Sequence, residues 1–466
     1  MKIDFTTPNH VYFVGIGGVS MSGLARILKS RGFTVTGSDR SVSAVTADLE
    51  VRGITVHTPQ CAANITDDID VAVLTSAIHP DNPEYQELLA RQIPMMSRAD
   101  LLGQIMDGYP DSIAISGTHG KTTTTSMITQ ILLEAGTDPT ISVGGQLGSI
   151  GGNVRIGSSG YFAAEACEYT NSFLSLYPRV GLILNIEEDH LDFFKDIDDI
   201  RASFRKFASN IRPGGFLIIN GEIEDPGEIY DRLDCNVLTF GYGSTDDFRI
   251  SSVSFDESGC AGFTLTLSEK AAAFIPGERQ YGIRLAVPGR HNVLNGAAAF
   301  AGAAVSAIDP STAAGALYAY TGVDRRFQKL GEFDGVTVYD DYAHHPTEIS
   351  ATLQAARSAA KGRIFCIFQP HTYSRTKSLL PEFASALKEA DVVVLADIYA
   401  ARETDDLGIS SATLRDRITE LGGCCEYFPS FEEIENYVRK NCRKDDLLIT
   451  MGAGNVNLIA KDLLNG

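Results

Sequence analysis

The segment from Ser112 to Glu134 constrains this chain more than any other. An apolar run, Ser112–Ser116, leads directly into Ser116-Gly117-Thr118-His119-Gly120-Lys121-Thr122-Thr123-Thr124, and a helix-forming stretch runs from Lys121 to Glu134. A strand that turns through glycines into a helix gathers unpaired backbone N–H groups and the positive end of the helix dipole at one point, which favours an anion. The strict phosphate-loop pattern asks for glycine where Ile115 stands. The mechanics are kept, because Lys121 can reach β- and γ-phosphates and the Thr122 hydroxyl can ligate Mg2+. The alternative is a Ser/Thr-type helix N-cap beside an incidental lysine. Gly-Lys-Thr at the strand–helix junction favours the nucleotide reading.

The same grammar recurs on either side. Before this segment come an apolar strand Val11–Val14, a glycine turn, a helix from about Ser20 to Ser30 and strands Thr34–Ser38 and Val71–Thr75. A helix over Glu84–Arg91 and the linker-like Gly108-Tyr109-Pro110 close that region. After the segment, strands are expected at Tyr161–Ala164, Val180–Leu184 and Phe216–Ile219. Short alternating segments such as Gly262–Leu267 and Gly282–Val287 predict an antiparallel patch. A helical stretch His291–Ala307 leads to a boundary near Thr321-Gly322. Strands at Val336–Tyr339, Arg363–Phe368, Val392–Ala396 and Leu447–Thr450 then alternate with helices at Pro346–Ala359, Ser410–Leu421 and Asn455–Leu464. This is an α/β chain. Its 466 residues suit about three domains, drawn at residues 1–108, 109–321 and 322–466.

Charge limits the partners. Lys and Arg number 39 against 59 Asp and Glu, a net charge of −20, which repels long polyphosphate backbones and excludes a general nucleic-acid binder. A small phosphorylated ligand needs only local donors. The eight cysteines are scattered without a CxxC pair, as expected of reduced thiols in the cytosol. With no secretory signal, and with the uncharged stretch Val293–Ile308 too short to span a bilayer, the expectation is a cytoplasmic protein without membrane insertion.

Candidate site residues cluster at strand ends, where open parallel sheets collect ligands. The first glycine loop, Gly15-Ile16-Gly17-Gly18-Val19-Ser20, lies between a strand and a helix, with Asp39 at the spacing of a ribose-binding acid. Ser20 replaces the third glycine of the dinucleotide fingerprint. A nicotinamide cofactor, another nucleotide diphosphate and a structural turn all remain open for this loop. Glu165 closes one strand and is either an Mg2+ ligand or a solvated acid. Asn185-Ile186-Glu187-Glu188-Asp189-His190 follows another. There His190 is a metal ligand or a salt-bridged histidine, and Glu187 and Glu188 read as solvated loop charge. Tyr339-Asp340-Asp341-Tyr342-Ala343-His344-His345-Pro346 offers a histidine pair, of which one is expected to face a ligand and one to be structural. Gln369-Pro370-His371-Thr372-Tyr373-Ser374-Arg375 adds a cation, Arg375, suited to carboxylate or phosphate.

Taken in order, Gly-Thr-His-Gly-Lys-Thr-Thr, Asn-Ile-Glu-Glu-Asp-His-Leu-Asp, Gly-Arg-His-Asn-Val-Leu-Asn and Asp-Asp-Tyr-Ala-His-His-Pro-Thr-Glu resemble the Mur ligase family, over essentially the whole chain. The loop Gly-Ile-Gly-Gly-Val-Ser-Met-Ser-Gly and the segment Phe-Gln-Pro-His-Thr-Tyr-Ser-Arg-Thr are most similar to the member that adds the first amino acid. The resemblance implies three domains: a Rossmann-like N-terminal domain for a UDP-sugar, a central P-loop ATPase-type domain and a Rossmann-like C-terminal domain. It implies an ATP-dependent ligase joining L-alanine to the lactyl carboxylate of UDP-N-acetylmuramate through an acyl phosphate, with Mg2+ as cofactor, in peptidoglycan precursor synthesis.

By the same resemblance Gly15, Gly17, Gly18, Ser38, Asp39 and Tyr342 face the UDP-sugar. Gly117, Thr118, His119, Gly120, Lys121, Thr122 and Thr123 hold ATP, as do Asn292 and Asn295 (adenine), Arg326 (phosphates) and Asp341 (ribose). Thr122, Glu165 and His190 ligate metal. Lys121, Glu165, His190, His344 and Arg375 carry the chemistry, with His344 as a candidate base for the amine. A monomer or weak homodimer is expected. Competing readings are a ligase that attaches a tripeptide to the same sugar nucleotide, a dinucleotide-dependent dehydrogenase and a non-catalytic nucleotide switch. The chain departs from the family pattern at Pro59-Gln60, where many members have Gly-His, at Ala166-Cys167-Glu168-Tyr169 and at Thr372, where some carry arginine.

Overall fold

The computed structural model describes residues 3–5, 7, 9–401 and 403–465. They form two compact units. The first runs to Ile186 and adds Asp198–Thr239 and Ala301–Asp309; the second holds Glu187–Ile197, Phe240–Phe300 and the chain from Pro310 onward.

The first unit opens with a five-stranded parallel sheet of β1 (His10–Val14), β2 (Thr34–Ser38), β3 (Thr55–His57), β4 (Val71–Leu74) and β5 (Met95–Ser97), in the order β3-β2-β1-β4-β5. That is the order of a Rossmann half-sheet, with its switch point beside β1. Val11, Tyr12, Phe13 and Val14 are fully buried, so the strand reads as an unbroken apolar run because both of its faces are covered.

A second sheet in this unit contains β6 (Asp111–Ser116), β7 (Thr140–Leu147), β8 (Gly152–Arg155), β9 (Tyr161–Glu165), β10 (Val180–Ile183), β11 (Phe216–Asn220) and β12 (Asn236–Gly241), of which the last two residues fall in the second unit. Its order is β12-β11-β10-β6-β9-β7-β8. Strand β6 lies parallel to both β10 and β9. The C-terminal ends of three adjacent strands therefore deliver Asn185, the Ser116–Thr124 loop and Glu165 to one edge.

In the second unit β13 (Phe248–Phe255), β14 (Cys260–Leu267) and β15 (Gln280–Pro288) pair antiparallel. This is the patch that the alternating sequence predicts, and β14 alternates buried with half-buried residues along its length. The C-terminal sheet comprises β16 (Gln328–Phe333), β17 (Val336–Asp341), β18 (Ile364–Phe368), β19 (Val392–Leu395), β20 (Cys425–Tyr427) and β21 (Leu447–Met451), ordered β16-β17-β21-β18-β19-β20. It is parallel except for β16. One apolar core gathers Ile349, Leu353, Phe368, Phe383 and Leu414, and another gathers Val338, Phe365, Ile434, Leu448 and Ile459. Alternate residues of β18 belong to each, so all five are buried. At roughly 1.5–3 kcal/mol per buried large apolar side chain, these cores hold the strand ends that carry the site.

The helices Lys121–Glu134 and Pro346–Ala359 have the limits expected from sequence. The helices Arg98–Asp107 and Phe431–Asn441 were not anticipated. Their caps are legible, since the Ser97 hydroxyl accepts from Asp100 N and the Ser430 hydroxyl from Glu433 N.

Candidate active site

The loop after β6 is held open from below. Gly117 has φ of +142°, and a Cβ there would lie 3.0 Å from Leu184 Cβ, so the loop crosses β10 at a distance only glycine allows. Asn185, directly after β10, clamps the turn. Its carbonyl accepts from Thr118 N at 3.2 Å, its Oδ1 accepts from His119 N at 2.7 Å, and its Nδ2 donates to His119 O at 3.1 Å. Lys121 Nζ folds back to donate to Gly117 O at 2.5 Å, to Thr118 O at 3.0 Å and to Glu168 Oε2 at 2.9 Å. Burial works against the lysine charge, but the Glu168 carboxylate outweighs it, assisted by Cys167 and Glu165, and holds Lys121 above its ordinary value.

Glu165 ends β9 and accepts from Gly144 N at 2.6 Å. The Thr122 hydroxyl and the Glu165 carboxylate are hard oxygen donors of the type Mg2+ selects. Sequence reasoning missed two partners here, Glu168 and Asn185. Asn185 stood in a quoted motif, and Glu168 stood in a segment noted only for departing from a pattern.

The loop after β1 is occupied by the chain itself. Ser38 O accepts from Gly15 N at 2.9 Å and from Ile16 N at 2.8 Å, while Asp39 Oδ2 accepts from Gly17 N at 2.8 Å. A Cβ on Gly17 would lie 2.7 Å from Asp39 Oδ2, which explains the glycine. Gly18 is the N-cap of the helix Val19–Ser30 and supplies no side-chain cap. Strand β2 ends at Ser38, as expected, and Asp39 follows it. The Ser38 side chain is fully buried, with its hydroxyl committed to Glu84 and Gln60. Any effect of Ser38 on a ligand therefore passes through those neighbours.

In the second unit the loops after β17 and β18, with the short helix Tyr373–Ser378 that follows the latter, carry Tyr342, His344, His371 and Arg375. The Arg325 and Arg326 guanidinium carbons lie 4.9 and 5.3 Å from the Tyr342 ring centroid, which fixes that ring by cation–π attraction. The His344 ring lies 5.5 Å from Tyr342 and 5.9 Å from His371. His344 Nδ1 is 3.0 Å from Tyr342 O. A carbonyl only accepts, so Nδ1 carries the proton and the Nε2 lone pair is left. Burial lowers His344 to about 3, with Arg375 in the same sense and Glu348 and Asp189 opposing. It is therefore neutral near pH 7 and is a hydrogen-bond acceptor rather than a proton store.

His345 is the structural member of the pair. It is buried, and it caps the helix Pro346–Ala359 by accepting from Thr347 N. Glu187, expected to be solvated, accepts from the Thr347 hydroxyl at 2.8 Å.

Arg375 Nη2 and Nε donate to Asp189 Oδ1 at 3.0 and 3.2 Å. Burial raises Asp189, but Arg375, and then His190, His344 and His345, hold it well below the usual carboxylate range. His190 Nε2 lies 3.7 Å from Asp189 Oδ2.

Asp341 is buried and accepts from Phe327 N and Ala343 N, each at 2.7 Å. Desolvation raises it to about 6 against the pull of Arg326. Arg326 lies 3.6 Å from Glu348. Asn292 Nδ2 donates to Pro288 O at 2.7 Å, and Asn295 Nδ2 donates to Asn292 Oδ1 at 3.0 Å, so the two amides form one buried pair.

The sheets and loops of this chain match known proteins from end to end. Residues 10–110 match the model of the Mur ligase family catalytic domain, residues 115–303 the Mur ligase middle domain and residues 325–454 the Mur ligase glutamate ligase domain. A UDP-N-acetylmuramate–L-alanine ligase of Agathobacter rectalis is 55% identical over 463 residues, covering 99% of each chain. One of Acetivibrio thermocellus is 47% identical over 467 residues, covering 99% of this chain and 98% of the relative. The solved structure of a UDP-N-acetylmuramate-alanine ligase from Thermotoga maritima superposes with a TM-score of 0.80 at 27% identity, over 98% of both chains. The chain belongs to the Mur ligase family and has its three-domain α/β fold.

Proposed function

We propose that this chain is an ATP-dependent ligase that joins L-alanine to the lactyl carboxylate of UDP-N-acetylmuramate; its relatives' names give the sugar nucleotide, the amino acid and the ligase. The observation that carries the reading is 55% identity over 99% of both chains to a ligase of that name. The nucleotide loop with Lys121 supports it.

A carboxylate is a poor electrophile and needs activation. Its attack on the γ-phosphate of ATP gives an acyl phosphate and ADP, and the amine of alanine then displaces phosphate through a tetrahedral intermediate. The first step brings two anions together, so local cations dominate the barrier. Lys121, which now rests on loop carbonyls and Glu168, exchanges that carboxylate for phosphate oxygens. The backbone N–H groups from Gly117 to Thr123 cradle the same phosphates. Thr122 and Glu165 would hold Mg2+, which when bound would offset triphosphate charge, and His190 would hold a second ion. Arg375, released from Asp189, takes a substrate carboxylate. The His344 Nε2 lone pair orients the amine, and the lowered basicity of His344 argues against its storing the proton.

Asn292 and Asn295 for adenine, Arg326 for phosphate, Asp341 for ribose and Tyr342 for the sugar remain assignments by family resemblance. Domain limits at 108/109 and 321/322 are supported by the three matched segments, 10–110, 115–303 and 325–454. A cytoplasmic protein, monomeric or weakly dimeric, suits this reading, and among the described residues no helix is long and apolar enough to cross a membrane. The deciding experiment is ADP release that needs both UDP-N-acetylmuramate and L-alanine. Release with a tripeptide but not with alanine would transfer the chain to the tripeptide-adding activity, and no release would overturn the ligase reading.

A further inference from the structure

In the second unit, Glu348 stands at the third position of the helix Pro346–Ala359, directly after His344-His345-Pro346-Thr347. An acid at that position ordinarily reaches back to the N-cap backbone N–H, or simply faces the positive end of the helix dipole. Here the N-cap, His345, caps with its own ring, which accepts from Thr347 N. The Glu348 side chain, only 13% exposed, reaches one residue further. Its Oε2 accepts from His344 N at 3.1 Å and lies 3.3 Å from His344 Nδ1. Its Oε1 lies 3.6 Å from Arg326 Nη1. One carboxylate thus spans the loop after β17 and the arginine that precedes β16.

Each arm constrains its partner. His344 Nδ1 faces two acceptors, Tyr342 O at 3.0 Å and the Glu348 carboxylate, so the proton stays on Nδ1 and the lone pair on Nε2. On the other side, Arg326 lies 5.3 Å from the Tyr342 ring centroid. That contact sets the height of the guanidinium over the ring, and the charge of Glu348 draws Nη1 to one side. Asp341 also feels the Arg326 charge, but its two oxygens already accept from Phe327 N and Ala343 N. We propose that Glu348 is a positioning residue for the ligation: one oxygen aims Arg326 at phosphate, and the other fixes the His344 Nε2 lone pair toward the amine. A helix cap alone needs no second oxygen. This rests on the parts given to Arg326 and His344 under the ligase reading above.

The test is steady-state ADP release by the full chain, with ATP, L-alanine and UDP-N-acetylmuramate varied in turn. Glu348→Gln keeps the size and an oxygen for His344 N–H, but it sets a neutral amide against Arg326. It should raise the KM for ATP about tenfold, the scale of one lost charge-assisted contact. The KM values for alanine and the sugar nucleotide should stay within about threefold, a split that a lost helix cap would not give. Glu348→Ala removes both arms and should raise the KM for alanine as well. When Glu348→Gln is combined with Arg326→Gln, the KM for ATP should match that of Arg326→Gln alone, because a residue that acts through another adds nothing once that other is gone. If Glu348→Gln does not fold, Glu348→Asp decides. It keeps the charge and an acid at the helix start but draws the carboxylate back by one methylene, so it should raise the KM values for ATP and alanine together. Wild-type ATP kinetics in Glu348→Gln, a loss shared equally by all three substrates, additive effects in the double variant, or a Glu348→Asp enzyme that behaves as wild type overturns the inference alone. A wild type that releases no ADP with UDP-N-acetylmuramate and alanine overturns the parent reading, and this inference with it.

Discussion

Two glycine loops, each between a parallel strand and a helix, stand in the first unit, and they differ in what already fills them. After β1, the carboxylate of Asp39 takes Gly17 N–H, and Ser38 O takes the amides of Gly15 and Ile16. After β6, Asn185 clamps Thr118 and His119, and the cation Lys121 is pinned by loop carbonyls and Glu168. The first loop is stabilised by an anion on its amides, whereas the second holds a cation paired with the Glu168 carboxylate. A motif places backbone donors; the side chains that occupy them decide which charge the site can accept.

The largest effect that would break this comparison is at Lys121. Lys121→Ala should lower kcat about a thousandfold or more, the scale of a lost electrostatic stabiliser in phosphoryl transfer. UDP-N-acetylmuramate binding by calorimetry should stay within about threefold. Equal loss of both would mean the two loops do not serve different nucleotides. Next, Glu165→Ala should raise the Mg2+ concentration for half-maximal rate by about tenfold or more; an unchanged magnesium titration removes Glu165 from the ligand set.

A smaller effect tests the same principle in the second unit, where burial and Arg375 keep His344 neutral. Its folded value of about 3 lies below the ordinary 6.5. The stability this contributes is complete above pH 6.5 and is lost as pH falls toward 3. By pH 4.5 the loss is roughly 3 kcal/mol. His344→Gln should therefore shrink the fall in unfolding free energy between pH 7 and pH 4.5 by about that amount, measured by urea titration. A variant as acid-sensitive as wild type would place His344 in a solvated setting. The wild-type pH–rate profile above pH 5 should show no limb that His344→Gln removes.

Much of this was legible in sequence because the informative features are local. The helix Lys121–Glu134 follows Gly-Lys, and the strands Val11–Val14 and Val392–Leu395 are apolar runs that only a covered parallel sheet explains. The three-residue strands β3, β5 and β20 are too short to show a period. Long-range partners were not legible either. Glu84 meets Ser38 from 46 residues away, and Arg375 meets Asp189 from 186 residues away; no spacing rule encodes such pairs. Asp39 was legible as an acid near the first loop, but its bond to Gly17 N–H was not, since a carboxylate at a strand end can face a ribose or the loop itself.

That ambiguity supplies the mildest and sharpest test. Asp39→Asn keeps the size and one acceptor oxygen, so the bond to Gly17 N–H survives in neutral form. What is lost is the charge, worth a fraction of a kcal/mol at a partly exposed position, and the second acceptor, Oδ1, which takes Arg40 N–H at 2.8 Å. If Asp39 only shapes the loop, UDP-N-acetylmuramate affinity should fall by about threefold or less and UDP affinity by the same factor. If Asp39 also reads a ligand hydroxyl, the sugar nucleotide and a 2′-deoxy analogue should converge in affinity in the variant but differ in wild type. Equal binding of the two in wild type would leave Asp39 as the anion that builds the first loop, as Glu168 is the anion that pairs with Lys121 at the second.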